Sequence, residues 1–430
     1  MSSPRVIDFT APGRVNLIGE HTDYSGGLVL PMAIPFHTTA SLSEPADDHY
    51  HFTCGMFPTK RTIARDDRST RVGDWSDYSV GVLRELQVLG IEVPPFHLHI
   101  EGNVPLGAGL SSSASVEVAT AAALLHHAGA KLPVGEIALL AQRAENRYVG
   151  SPCGIMDQFV ITAARAGHAL LLNTRDLEYK LLPMNTGALA ACSIVVVNSG
   201  VKHTVTAGSA YAERRKEVEE GQTLLRERFG VRDLGDAEME QLDSVRAELS
   251  PESYKRCSHI ITENARVKRA AAAMLAGDAA ALGQVLQEGH VSYRDLFEAS
   301  CEEVDFLVEV AGQQPGCFGA RLTGGGFGGC VVNLVAKDAV EDFVAAVKAA
   351  YKQHWQIDAE VYLCEASDGA VAEHPEIATE EAPDERDLHA ATAPPLERSA
   401  RRVGHRFTAP HAASVAGTDR RHDRPHRAAV

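Results

Sequence analysis

Apolar positions recur at helical spacing in five long stretches, which predicts helices over 111–127, 134–149, 207–229, 251–276 and 339–354. The stripe is clearest in 134–149, where positions 137, 140, 141, 144 and 148 are apolar. Shorter runs over 27–34, 97–101, 169–172, 193–198 and 329–335 have strand character. The last three are apolar enough to be buried on both faces. A further short strand is expected at 15–18. Strands and helices follow one another without the regular alternation of a doubly wound sheet, so the predicted class is α+β. The best division falls near residue 180, after the turn at Asn173-Thr-Arg-Asp, giving halves 1–180 and 181–370.

The pattern stops after Ala370. Residues 371–397 carry eight acids against one Arg, and 398–430 carry eight Arg and four His against two Asp. With six Pro and a single Phe in sixty residues, this segment cannot bury enough apolar area to offset its ordering entropy. A disordered tail over 371–430 is expected.

Composition narrows the function. The 430 residues are 45% hydrophobic and 23% charged, as in an ordinary globular protein with room for two cores. The net charge of −16 disfavours non-specific contact with nucleic acid or an acidic membrane. The eight Cys are scattered with no CxxC pair, which suits a reducing compartment rather than a disulfide framework or a zinc site. No apolar leader or spanning segment is visible, and a cytoplasmic monomer is expected.

Candidate chemistry sits at the breaks in the pattern. Ala11-Pro-Gly-Arg-Val-Asn-Leu-Ile-Gly-Glu-His-Thr-Asp-Tyr24 packs Arg14, Asn16, Glu20, His21 and Asp23 around a short strand. A strand end needs no such range of hydrogen-bonding groups, but a polyhydroxyl ligand does. Pro105-Leu-Gly-Ala-Gly-Leu-Ser-Ser-Ser-Ala-Ser115 is a glycine turn running into a helix through serines placed as N-caps. Free N–H groups and the positive helix end make such a turn an anion site. It is neither a Walker A loop nor a Rossmann fingerprint. Glu145 lies at the edge of its helix's apolar stripe, able to point into a half-buried site. Asp157 stands among Ile155, Met156 and Phe159, where a carboxylate needs a partner, and Arg14 is the obvious cation.

These blocks, with Leu322-Thr-Gly-Gly-Gly-Phe-Gly-Gly-Cys330, resemble those of the galactokinases in the GHMP small-molecule kinase superfamily, over roughly residues 5 to 370. The resemblance implies a two-domain GHMP kinase fold, with a ribosomal-protein-S5-like N-terminal domain and a ferredoxin-like C-terminal domain. It implies ATP-dependent phosphorylation of D-galactose at the anomeric hydroxyl. Gly107, Gly109, Leu110, Ser111, Ser112 and Ser113 would surround the ATP phosphates, and Ser113 with Glu145 would ligate Mg²⁺. Asp157 would be the base and Arg14 its partner. Glu20, His21, Asp23, Gly154 and Tyr211 would contact galactose, with Asp23 reading the C3/C4 hydroxyls. The glycine-rich 322–330 block would support the site.

Two departures stand out: only ten residues precede Ala11, and Ser25 replaces the commoner Asn or Asp of the signature. Two rival readings are a kinase for N-acetylgalactosamine or arabinose and a silent sugar sensor. The intact serine loop, Arg14 and Asp157 argue against the sensor. The acidity of the rest of the chain argues against nucleic-acid binding through the Arg-rich tail.

Overall fold

Two sheets organise the chain in the computed structural model, which describes residues 5–201 and 206–379, the side chains of 206–209 aside. The first sheet holds β1 (Val6–Ile18), β2 (Leu28–Ser43), β3 (His49–Cys54), β4 (Arg61–Ala64), β5 (Phe96–Gly102), β6 (His168–Asn173) and β7 (Tyr179–Pro183). Its order is β4-β3-β5-β2-β6-β7, with β1 antiparallel to β2. Helices α1 (Ser76–Val88), α2 (Ser112–Ala128), α3 (Val134–Arg143) and α4 (Met156–Ala163) pack with it. Phe9, Leu42, Phe52, Phe96, Val118, Leu125, Ile137 and Phe159 share that core.

The second sheet, in order β11-β8-β10-β9, is antiparallel: β8 (Cys192–Asn198), β9 (Cys317–Thr323), β10 (Cys330–Ala336) and β11 (Glu360–Cys364). With it go α5 (Thr206–Phe229), α6 (Met239–Ser244), α7 (Pro251–Ala276), α8 (Ala279–Ser292), α9 (Glu302–Gly312) and α10 (Val340–Trp355). The unbroken apolar runs in β8 and β10 have a simple cause. Val195, Val197, Val331 and Val335 face one cluster, with Phe343 and Tyr351. Ile194, Val196, Val332 and Leu334 face another. Side chains alternate across a strand, so a sheet covered on both faces demands apolar residues at every step. The exception, Asn333, is fully buried and spends its amide on the carbonyls of Val195 and Val331 at 2.8 and 3.2 Å.

The second of those clusters also contains Val15, Leu17 and Ile18 of β1 and Leu30 and Met32 of β2. One apolar core therefore joins the two sheets, and the described residues form a single compact unit. The architecture is α+β, as the irregular order of elements predicts.

Three expectations need correction. The strand expected at 15–18 is the end of a thirteen-residue strand, because β1 absorbs Pro12 and Gly13 by a register shift against β2. The single helix expected over 134–149 is α-helical only to Arg143 and continues as a π-helical turn, Ala144–Val149. The disorder expected from 371 does not hold for 371–379. Helix α11 (Ala370–Glu373) follows Gly369, Val371 and Ile377 are buried in the first core, and Leu132 bridges Ala378. The remainder of that tail, 380–430, lies outside the described residues.

Candidate active site

Arg14 enters the site from the middle of β1, where neighbouring residues are buried, and only 5% of it is exposed. Its guanidinium grips Asp157, with Nε donating to Oδ1 at 2.7 Å and Nη2 to Oδ2 at 2.6 Å. Nη1 donates to the Gly109 carbonyl at 2.6 Å. A two-pronged guanidinium–carboxylate pair fixes direction as well as charge. Asp157 itself lies in the first turn of α4, at the positive helix end. The Ser111 hydroxyl donates to its Oδ2.

That last bond revises the reading of the serine loop. Ser111 occupies the N-cap position of α2 but in the left-handed region, with φ 63°, and makes no side-chain cap. Its hydroxyl goes to Asp157 instead, so it is not consumed on the first amides of α2. Gly107 and Gly109 also hold positive φ, 72° and 76°, which a side chain would strain. Leu110 is buried in the shared core, and its carbonyl accepts the Arg14 N–H at 3.2 Å. Ser112 and Ser113, with Leu106, line a cavity of about 560 Å³ walled by Met56, Phe57, Trp75 and Tyr78. These apolar and aromatic walls were not anticipated from the sequence. The aromatic residues scattered over 57–78 were the available signal.

Glu145 sits on the π-helical turn, a local irregularity common at functional sites. It is 7% exposed, and its carboxylate accepts from Gln158 Nε2 at 2.8 Å. Burial and then the Asp157 charge raise its pKa to about 7, against hydrogen bonds from Cys153, Ser113 and Gln158 that favour the ionised form. Gln158 Nε2 also donates to Glu117, 3.1 Å away, whose pKa burial pushes well up. Three carboxylates thus crowd one region, and the raised values of Glu145 and Glu117 reflect the cost of ionising them there together. Among the described residues no cluster of three or more His, Cys, Asp or Glu could hold a metal alone. The donors present, a hydroxyl and a carboxylate, are the hard oxygens that Mg²⁺ takes alongside phosphates and water.

A second cavity, about 410 Å³, gathers Arg14, Glu20, His21, Asp23, Gly154, Asp157 and Tyr211. Every sugar-contact residue expected from the sequence lines it. His21, at φ 63°, holds its ring against Phe297 at 4.2 Å, with its two nitrogens 2.9 Å from the Tyr24 and Tyr293 hydroxyls. Burial drives its pKa down to about 3, so the imidazole is neutral, a donor at one nitrogen and an acceptor at the other. Burial, then the Asp157 charge, raises Asp23 to about 6. Gly154 is required by space: a Cβ there would fall 1.8 Å from Asp23 Oδ2. Glu20 is 1% exposed and contacts Arg321, itself wholly buried. Burial raises the Glu20 carboxyl although Arg321 pulls it down. Arg321 precedes the glycine-rich block in an apolar strand; that isolated cation is a sequence signal to which no role was attached.

Ser112 and Ser113 line the first cavity and Arg14 and Asp157 the second, and the serine loop ties to that pair through Ser111 and Gly109. One side offers buried carboxylates able to accept from hydroxyls, the other a glycine turn and a helix start, with the Arg14-paired Asp157 between them. Comparison with known proteins is consistent with this layout. The GHMP kinases N terminal domain model matches residues 77–165, the GHMP kinases C terminal model 270–353, and the galactokinase galactose-binding signature 2–44. A galactokinase from Roseiflexus sp. is 40% identical over 369 residues, spanning 85% of this chain and 92% of its own. One from Halalkalibacterium halodurans is 37% identical over 364 residues, 84% and 91% of the two chains. The structure of Lactococcus lactis galactokinase complexed with galactose matches with TM-score 0.81 at 34% identity, covering 85% of this chain and 94% of that one. Methanococcus jannaschii mevalonate kinase shares the fold at TM-score 0.58 and 20% identity, over 85% and 99%.

Proposed function

This chain belongs to the galactokinase family of GHMP kinases, and we propose that its 410 Å³ cavity holds D-galactose with the anomeric hydroxyl turned to Asp157. The enzyme phosphorylates galactose, with ATP as the phosphoryl donor. The observation that carries the assignment of roles is the Arg14–Asp157 pair, seated where the sugar cavity meets the phosphate loop.

The anomeric oxygen attacks the γ-phosphorus, its proton passes to an Asp157 carboxylate oxygen, and ADP leaves; the product is α-D-galactose 1-phosphate. Arg14 orients Asp157 through both oxygens and sets positive charge beside the transferring group. In a loose phosphoryl transition state, holding the two oxygens in line carries much of the rate. Gly107, Gly109, Leu110, Ser111, Ser112 and Ser113 give the phosphates backbone amides and hydroxyls. The cavity with Phe57, Trp75 and Tyr78 takes the nucleoside. Ser113 and Glu145 would hold Mg²⁺, which would supply charge neutralisation for the phosphates.

On the sugar side, Glu20 and Asp23 accept from hydroxyls while neutral His21 and Tyr211 close the wall. Asp23 is assigned to the C3/C4 pair: a buried acceptor left without its donor costs about 1–3 kcal/mol, enough to reject the wrong epimer. A cytoplasmic setting fits eight free thiols. The test is a coupled ADP-release assay with ATP and Mg²⁺ on galactose, glucose, N-acetylgalactosamine and arabinose in parallel. Turnover on galactose far above the rest is the expected result. Equal or better turnover on another sugar overturns the pocket assignment.

A further inference from the structure

Arg321 is a cation with no access to water, in a strand that does not itself line the sugar cavity. Its Nη1 donates to Glu263 Oε1 at 2.9 Å, its Nη2 contacts Glu20 Oε2, and its Nε donates to the Leu322 carbonyl at 3.1 Å. Glu263, on α7, is equally buried and also holds the backbone beside Glu20, its Oε1 accepting the Gly19 N–H at 3.1 Å. Its Oε2 accepts from Arg266 Nε at 2.6 Å, and Arg266 in turn donates to the Ser292 hydroxyl at 2.8 Å. The Ser292 hydroxyl lies 2.9 Å from His259 Nδ1, and His259 Nε2 lies 3.3 Å from the Glu20 carbonyl. The network closes on Glu20 from both its side chain and its backbone.

Two guanidiniums and two carboxylates balance, but balance alone does not explain why charge is buried there. A buried ion cluster contributes little net stability compared with apolar residues of the same volume. What it does provide is direction. The planar fork of an arginine can hold one carboxylate with one nitrogen and a second carboxylate with the other. A lysine ammonium in its place could not keep both at those positions. Glycine at 289 leaves the necessary room, since a Cβ there would lie 2.9 Å from Arg321 Nη1.

We propose that Arg321, braced by Glu263, is the positioning residue that fixes Glu20 for galactose. Through it β9 and α7, both from the second half of the chain, set the aim of a sugar-binding carboxylate carried by the first half. The inference rests on the reading that Glu20 touches the sugar, and the test separates the two.

Galactose and ATP KM values and kcat are measured for Arg321→Lys, Glu263→Gln, Glu20→Ala and the Glu20→Ala/Arg321→Lys double variant, with folding checked by circular dichroism and thermal melting. The expected result is a rise in galactose KM of roughly tenfold or more for Arg321→Lys and a severalfold rise for Glu263→Gln, the scale of a lost charged hydrogen bond. ATP KM stays within about twofold, and the double variant is no worse than Glu20→Ala alone, because a residue acting through Glu20 has nothing left to position. If Arg321→Lys fails to fold, the Glu263→Gln values decide by the same criteria. Unchanged galactose KM in a folded variant, parallel rises in both KM values, or additive effects in the double variant overturn the proposal. A Glu20→Ala enzyme with normal galactose KM overturns it through its premise, an outcome that no behaviour of the Arg321 variant can imitate.

Discussion

At the proposed sugar end of the site, the groups assigned to recognition are side chains each held by other parts of the protein. His21 is fixed by two tyrosine hydroxyls and a phenylalanine face, and Glu20 by Arg321. Asp23 lies against the Met156 N–H at 3.4 Å, within the space that Gly154 leaves. At the nucleotide end the material is backbone: two glycines and a serine at positive φ, the start of α2, and a cavity with apolar walls. The difference follows from the ligands. Hydroxyl stereochemistry is read only by acceptors and donors at set positions, whereas a phosphate chain needs amides and positive helix ends, which any sequence with the right turn supplies. The sugar side therefore resists substitution at particular side chains, and the nucleotide side at particular backbone conformations.

Asp157 stands on the border, and its removal tests the division most severely. Asp157→Ala should lower kcat by roughly a thousandfold, within the usual range for a general base, while ATP still binds. Stopped-flow or coupled turnover with calorimetric ATP titration measures both. Activity within about tenfold of the parent would remove Asp157 from the base role.

Gly154→Ala attacks one side only. The added methyl would meet the Asp23 carboxylate at 1.8 Å, so Asp23 must turn away from the cavity. Galactose KM should rise by about 10- to 100-fold, the cost of a misplaced acceptor, with ATP KM unchanged. Equal changes in both constants would mean that the two ends are mechanically one piece.

A milder probe is pH. Asp23 titrates at about 6 in the folded protein, held above the usual carboxylate range by burial and by Asp157. As an acceptor it must be ionised, so one unit below that value about a tenth of the enzyme is competent and galactose KM rises about tenfold. Stability moves the opposite way. A raised carboxyl pKa favours folding below the unfolded value near 4, and that contribution is lost as pH rises through about 6. Asp23→Asn should remove this part of the KM profile; an unchanged profile assigns it to another group, Glu20 being next in line.

How much of this was legible in the sequence depended on whether the signal was local. Helix 251–276 is read from its own spacing, and the five residues proposed to contact the sugar were singled out by blocks of adjacent letters; all of them line one cavity. Glu145 was singled out as a candidate ligand from its place beside the apolar stripe, but its setting was not legible: the π-helical turn that carries it leaves the apolar period almost unchanged. Ser111 was read as a cap because helix starts usually want one, and the competing acceptor, Asp157, lies 46 positions away. Arg321 and Glu263 are joined across 58 positions, and Arg321 reaches Glu20 across more than half of the chain, a relation that no window of sequence contains.

The same limit explains the tail, and the smallest predicted effect settles its boundary. Residues 371–379 look like the start of a charged tail, yet two apolar letters, Val371 and Ile377, reach a core whose other members lie mainly between Phe9 and Leu181. The segment ties to the far ends of the elements whose near ends make the site. His374 Nε2 accepts the Thr10 N–H of β1 at 2.9 Å, the Leu132 N–H beyond α2 donates to the Ile377 carbonyl at 3.1 Å, and Gly369 N–H donates to the Ala164 carbonyl after α4 at 2.9 Å. Ending the chain after Ser367 should cost about 3–6 kcal/mol from the two buried side chains alone and lower the melting temperature by roughly 4–8 °C. Because β1, α2 and α4 feed both ends of the site, galactose and ATP KM should drift together, unlike the one-sided loss at Gly154. Ending it after Thr379 keeps every one of these bonds, and melting temperature and kcat should match the full chain. A large loss from that second cut would assign a structural role to 380–430 and move the boundary of the enzyme beyond the point where its apolar pattern ends.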